Sequence, residues 1–439
     1  MKWVIVIFLT LATSLLMGQA DSISPNSSEK KHRQYGFGAI PVLSYDSDLG
    51  IKYGAVINLF DYGKTKQSPD FDQYLYIKLT NTTKGTLNAQ ALLESTSLLR
   101  NTRVMFEASY LRDEKMDFFG FNGQNAVYHK ALTDPESSSF VNRFYYAHER
   151  KLLRIRLDLQ RNLAGNQLRL LTGFSFNQFD INAKDVEIDT SSDNPSPEIE
   201  VPTLFEQYTT WGILPEEEQS GGNINLFTLG LIYDTRNEHC FCTNGIWAES
   251  FMVISPGMMS DHAFAKLVLT YRQHKSVMND NITFSFRASS QSKLWGDIPF
   301  YMLPTHFDGR LSQDGIGGAY NLRGAMRNRV VADGFLLGNF ETKFNIWNFS
   351  LLKQEFFTSI SGFYDMAYIT QTHKTDLSGV PGESYSFFFN TEKQRPHHTI
   401  GAGLYIVFNK NNIITVNYGF PLNPQDGAGG LYVGSAMLF

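Results

Sequence analysis

Long apolar runs are missing from this 439-residue chain beyond its N-terminus, and a helical membrane span needs ~18 of them in a row, so helical spans are excluded. Charge is scarce too. Only 18% of residues are charged, and 38 Lys and Arg against 43 Asp and Glu leave a formal net charge of −5. No global basic surface of the kind that marks nucleic-acid binders can form, and nucleic acid is excluded as a partner. Cysteine is nearly absent. Cys240 and Cys242 make a C-x-C with His239 beside it and His262 beyond. A structural zinc site wants four ligands at wider spacing, and a disulfide across one residue is strained, so neither metal nor cofactor is expected. There is no G-x-S-x-G elbow or other nucleophile signature, and nothing singles out a serine and histidine on neighbouring strands, so no enzyme activity is expected.

What the chain does have is aromatic and glycine content: 35 Phe, 21 Tyr and 35 Gly, a composition of strand formers and turn formers. Its start, MKWVIVIFLTLATSLLMGQA, carries Lys2, an apolar run from Trp3 to Met17, and small residues Gly18 and Ala20 around Gln19. This is the pattern of a cleaved signal peptide over 1–20, and the polar DSISPNSSEKKHRQ follows at once. No cysteine lies near the cleavage point, which excludes a lipoprotein anchor. The expected organisation is leader 1–20, a short periplasmic segment 21–34, and one domain over 35–439.

Within that domain the recurring pattern is period two. Leu153, Ile155, Leu157 and Leu159 alternate with Arg154, Arg156, Asp158 and Gln160; Phe340, Thr342, Phe344 and Ile346 alternate with Asn339, Glu341, Lys343 and Asn345. Such strands are greasy on one face and wet on the other, as in a soluble sandwich or in a membrane barrel turned inside out. Run length decides. The runs are about 9–12 residues, enough to cross a bilayer at a tilt and about twice the usual soluble strand. Short connectors such as Leu163-Ala164-Gly165-Asn166 and Met278-Asn279-Asp280 alternate with long polar ones, the asymmetry of outer-membrane barrels. The end, LYVGSAMLF, with apolar residues at alternate positions before the terminal Phe439, resembles the closing strand by which barrel-assembly machinery recognises such proteins, a partner for this chain's own insertion.

The fold expected is all-β: a transmembrane antiparallel β-barrel in outer-membrane lipid, with strands near 35–46, 50–60, 72–81, 86–96, 102–112, 145–160, 167–179, 222–235, 245–255, 262–277, 281–295, 335–347, 355–368, 398–408, 412–421 and 431–439. About sixteen strands return both termini to the periplasm. Long connections then fall outside, at 113–144, 180–221, 296–334 and 369–397. The acidic 180–221 connection (PEIE, PEEEQ) reads as a solvated surface loop, and His397-His398, at a loop-to-strand edge, as interfacial.

In the 296–334 connection the stretch GGAYNLRGA sets Arg323 among Gly317, Gly318 and Gly324. Glu341 and Asp365 share the lumen parity of neighbouring strands, and a guanidinium can serve both through separate forked hydrogen bonds. The glycines leave the extracellular loop free to fold inward onto them. Leu322-Arg323-Gly324 resembles the arginine–glycine signature of the inward loop in the BamA/TamA superfamily of outer-membrane barrels, the bacterial surface antigen family. Phe363-Tyr364-Asp365 and Gly338-Asn339-Phe340-Glu341 look like its Phe-x-Asp and acidic strand motifs, and Asp234, Arg236 and Gly245 like its Asp-x-Arg-Asp…Gly hairpin. Ala325 stands where the family usually has an aromatic. The resemblance implies a loop lock of Arg323, Gly324, Glu341 and Asp365, residence in the outer membrane of a diderm bacterium, and a role in protein insertion or translocation with client outer-membrane or secreted proteins as partners. About 15 residues between Ala20 and the first strand are too few for a folded domain, so a short member lacking POTRA domains is expected. The second function class is a passive plugged pore, or a barrel that displays its loops, without insertase activity.

Overall fold

A computed structural model describes residues 34–63, 71–184, 202–237, 242–309, 313–351, 354–408 and 412–434. The expected leader 1–20, residues 21–33 of the segment after it, the PEIE stretch, His239, Cys240 and Phe439 lie outside these residues. The strands are β1 (Tyr35–Asp46), β2 (Gly50–Asp61), β3 (Gln73–Thr82), β4 (Thr86–Leu99), β5 (Thr102–Asp117), β6 (Ala147–Ala164), β7 (Leu168–Ala183), β8 (Gly221–Asp234), β9 (Gly245–Ser255), β10 (Phe264–Val277), β11 (Ile282–Gly296), β12 (Thr305–His306), β13 (Gln313–Asp314), β14 (Gly334–Leu351), β15 (Gln354–Gln371), β16 (His397–Phe408), β17 (Asn412–Pro421) and β18 (Gly430–Gly434). All but β12 and β13, which form a small sheet of their own, join in one closed antiparallel barrel of sixteen strands. No helix among the described residues is long and apolar enough to cross a membrane.

Period-two sequence becomes period-two exposure. On β6 the aliphatics Leu153, Ile155 and Leu157 point outward and are exposed, while Asp158 and Gln160 are buried toward the lumen. On β14 Phe340 and Phe344 face out, and Asn339, Glu341 and Lys343 face in. A soluble sandwich would bury the first set and wet the second, so the inverted exposure is the signature of a lipid-facing wall.

The larger apolar core lies at the end that carries the long connections, hereafter the outer end. Phe118, Phe121, Tyr145, Leu204, Phe205, Tyr208 and Phe300 are buried together there. Phe118 packs edge-on against Tyr208 at 5.2 Å and against Phe205 at 5.8 Å between ring centroids, geometry that suits the aromatic quadrupole.

This dome corrects the reading of the acidic connection as a solvated loop. Its described second part folds at Thr203, whose side chain accepts from the Glu206 N–H while Glu206 returns a bond to Thr203, a capping box that starts the seven-residue helix Leu204–Thr210. Leu204, Phe205 and Tyr208 of that helix, then Ile213 and Leu214, are buried. Glu216 and Glu217 stay exposed, but Glu218 turns in and accepts from the Phe300 N–H at 2.7 Å. Burial holds its carboxyl above the usual carboxylate range despite that bond and the nearby His262. The charge run hid an apolar face that needed cover.

The lipid-facing assignment sets an expected outcome. Ile155→Arg, in the middle of the outward aliphatic run, should lower stability by ~2–4 kcal/mol in urea titrations of the barrel folded into lipid vesicles. Ile155→Leu should be close to neutral.

Candidate functional site

Between β11 and β14 the described residues 297–309 and 313–333 fold down into the barrel. The descent depends on glycine. Gly324 has φ 98°, in the left-handed region, and a Cβ there would collide with the backbone of Gly419 on β17. The loop therefore lies flat against the barrel wall, glycine on glycine, where no side chain fits.

Arg323, beside it, is buried between β14 and β15. Its Nε donates to Asp365 Oδ2 at 2.8 Å and its Nη2 to Asp365 Oδ1 at 3.0 Å, while Nη1 donates to Glu341 Oε2 at 2.9 Å. The Arg323 N–H adds a fourth bond, to Asp365 Oδ2 at 3.1 Å. The guanidinium plane also lies 3.5 Å from the Phe363 ring centroid, a cation–π contact. Across the register Asn339 faces Asp365 and Glu341 faces Phe363, so all four side chains point into the lumen around one cation.

The carboxylates are finished by residues that the motifs do not name. Asn339 Nδ2 donates to Asp365 Oδ1 at 2.7 Å, and the Tyr405 hydroxyl donates to Glu341 Oε1. Arg287, from β11, donates through Nε to Asn339 Oδ1 at 2.8 Å and through Nη2 to the Tyr320 carbonyl at 3.1 Å. Lumen parity already placed Asn339 on the polar face; nothing local marked Tyr405 or Arg287.

Two further loop arginines do comparable work. Arg329 donates to the carbonyls of Gln425, Gly123 and Ala126 at 2.8, 3.0 and 2.9 Å and lies 3.5 Å from Asp426. It thereby ties the inward loop to the connections 118–146 and 422–429. Arg327 lies 3.4 Å from Asp113 on β5. His397 is fully buried with Nδ1 2.8 Å from Asp426 Oδ1, which corrects its reading as interfacial; its carboxylate partner is 29 positions away and invisible locally. His398 alone faces outward, bonded to the Tyr364 hydroxyl at 2.6 Å.

The hairpin residues gather at the opposite end, where β8 passes to β9. Arg236 forks onto Asp234 at 2.9 and 2.8 Å, and Gly245, φ 129°, sits where a Cβ would strike the Arg236 backbone. Arg236 also lies 4.2 Å from the Trp247 ring, and Arg272 lies 3.8 Å from the same ring. Arg272 pairs with Glu249 at 2.8 Å and with Asp308 of the inward loop, so packed charge runs from the hairpin to the loop. Cys242 is buried, its Sγ 3.3 Å from Asn237 Oδ1 and from the Asn244 carbonyl.

Residues 133–433, which include every lock and hairpin residue, match a family model described as the Omp85 superfamily domain. No curated protein matches the chain. Among solved structures, BamA from Haemophilus ducreyi lacking POTRA domains 1-3 aligns with a TM-score of 0.57 at 13% identity, over 98% of this chain and 78% of that one. CdiB from Escherichia coli aligns with a TM-score of 0.55 at 13% identity, over 94% of this chain and 67% of that one. At such identities the likeness is one of fold.

The geometry around Arg323 sets a second outcome. Arg323→Ala leaves two buried carboxylates uncompensated and should destabilise the barrel by ~3–5 kcal/mol, read as a lower unfolding temperature in detergent and faster proteolysis within 297–333. Arg323→Lys should recover only part, because a point charge cannot fork onto both carboxylates. The exchange of Arg323→Asp with Asp365→Arg should be more stable than either charge reversal alone.

Proposed function

Because the chain belongs to the Omp85 superfamily, we propose that it assists proteins to insert into, or cross, the outer membrane through a barrel seam that opens sideways. One observation carries this reading. Among the described residues, which end at Gly434, β1 and β18 close the barrel through the pairs Tyr45↔Val433 and Asp46↔Tyr432, whereas β1 pairs with β2 along its whole length. The Ser47 N–H and hydroxyl and the Leu431 carbonyl and N–H add further bonds at that junction. The other edge of β1 is fully laddered to β2, from Tyr35↔Asp61 to Asp46↔Gly50. A strand edge with free N–H and C=O groups is a template for a client strand, and main-chain pairing needs no particular client sequence.

The dome supports a sideways route over an axial one. Aromatic and aliphatic side chains of four connections are buried together over the outer mouth, and the inward loop buries Arg323, Arg327 and Arg329 beneath them, so a small solute meets packed apolar groups at that mouth. The step is non-covalent: hydrogen bonds of the seam exchange for hydrogen bonds to the client. A passive pore is the competing reading, and it requires solute conductance through that dome.

Quantitative outer-membrane proteomics after depletion tests the proposal. A defined set of barrels or surface proteins should fall, with unfolded forms accumulating in the periplasm, and the wild-type chain should restore them. Tyr45→Cys combined with Val433→Cys, oxidised to a disulfide across the seam, should fold yet fail to restore them until reduced. Full restoration by the oxidised form, or an unchanged proteome with altered solute uptake, would sink the reading.

A further inference from the structure

Plug and seam meet at one tyrosine. Tyr432, half of the Asp46↔Tyr432 seam pair, turns its side chain inward and is buried. Its hydroxyl accepts from the Gly324 N–H at 3.2 Å, the residue next to the locked arginine. The same hydroxyl lies 3.5 Å from Asp48 Oδ2, to which it donates, in the turn between β1 and β2. Asp48 in turn lies against Gly318 of the plug, and its carbonyl, with that of Ser47, accepts from Lys84 Nζ. One hydroxyl thus touches both sides of the seam and the plug.

The neighbouring turn is held by the same loop. The Met326 N–H donates to the Asp426 carbonyl at 2.8 Å, and Arg329 takes the Gln425 carbonyl and approaches the Asp426 carboxylate. Residues 422–429 join β17 to β18, so the plug grips the hairpin that closes the barrel at its outer turn, at Gly419 and at Tyr432. These contacts sit at the outer end.

We infer that the plug loop is the clamp of the seam: while Arg323 is locked, Gly324, Met326 and Arg329 hold β18 against β1 at the outer end, and the Tyr432 hydroxyl couples plug displacement to seam opening. One consequence follows from where the clamp sits: the outer end of the seam parts only when the plug leaves Tyr432. This deepens the sideways-opening reading given above and rests on it for its purpose, but the coupling itself exists without any client.

Hydrogen exchange on the folded full-length barrel in lipid nanodiscs tests it. Tyr432→Phe keeps the ring and removes only the bridging hydroxyl. It should raise exchange on the order of five- to tenfold at residues 45–47 and 431–434, the scale of one lost hydrogen bond, and leave the β5–β6 ladder unchanged. Proteolysis within 297–333 should stay as in the wild type, since Arg323 remains locked. Arg323→Ala should raise exchange at those same seam residues, because the plug releases them. Unchanged seam exchange in Tyr432→Phe, or a rise spread evenly over the whole ladder, would overturn the clamp; should the arginine variant fail to fold, Tyr432→Phe alone decides. If the seam loosens as expected while the outer-membrane proteome of depleted cells never changes, the clamp stands and the insertion role falls.

Discussion

A guanidinium buried inside a barrel is the constraint on which the rest of this structure depends. Taking a charge out of water costs several kcal/mol even after relaxation, and only close, directional partners return it. Arg323 has them: a fork and a main-chain bond to Asp365, a single bond to Glu341, and an aromatic face in Phe363. Each carboxylate is then completed by Asn339 or Tyr405. A half-satisfied cluster would be worse than an apolar one, so the loop that brings Arg323 must arrive in one conformation. That requirement explains the left-handed Gly324 pressed on Gly419 and the bracing of the same loop by Arg329 at three carbonyls.

The contrast with the seam is physical rather than topological. Strand pairs away from it are laddered along long stretches, as β14 and β15 are from Gly334 to Leu351. At the seam the plug adds a bond of its own, from the Gly324 N–H to the Tyr432 hydroxyl, beside the pairs Tyr45↔Val433 and Asp46↔Tyr432. A ladder cannot be undone without breaking many bonds together, whereas a contact through one tyrosine and one turn can.

The membrane inverts the usual division of residues, and the connections restore it. Along the wall the apolar face goes outward to lipid and the charged face inward, so the lumen holds Arg272, Arg287 and Lys343 as buried side chains. Above the lumen the long connections bury their own aromatics, as soluble domains do. The two regimes meet at the inward loop, with Leu322 and Ala325 in an apolar cluster beside the buried arginine between them.

Much of this was legible in the chain. Alternation in Leu153 to Gln160 and in Asn339 to Ile346 distinguishes lipid face from lumen face, run length distinguishes a membrane wall from a soluble sheet, and sixteen such runs state the barrel. Parity also puts Glu341 and Asp365 on the lumen face of adjacent strands. These features are local, since a strand's period is fixed by its own backbone and needs no partner to be read. The dome over the mouth, the pairing of His397 with Asp426, the carbonyls gathered by Arg329, and the meeting of Gly324 with Tyr432, 108 positions apart, were decided only by the tertiary structure. They arise because closure brings the two ends of the chain side by side and drops a loop between them, and no periodicity in a sequence records which irregular segments that closure will press together.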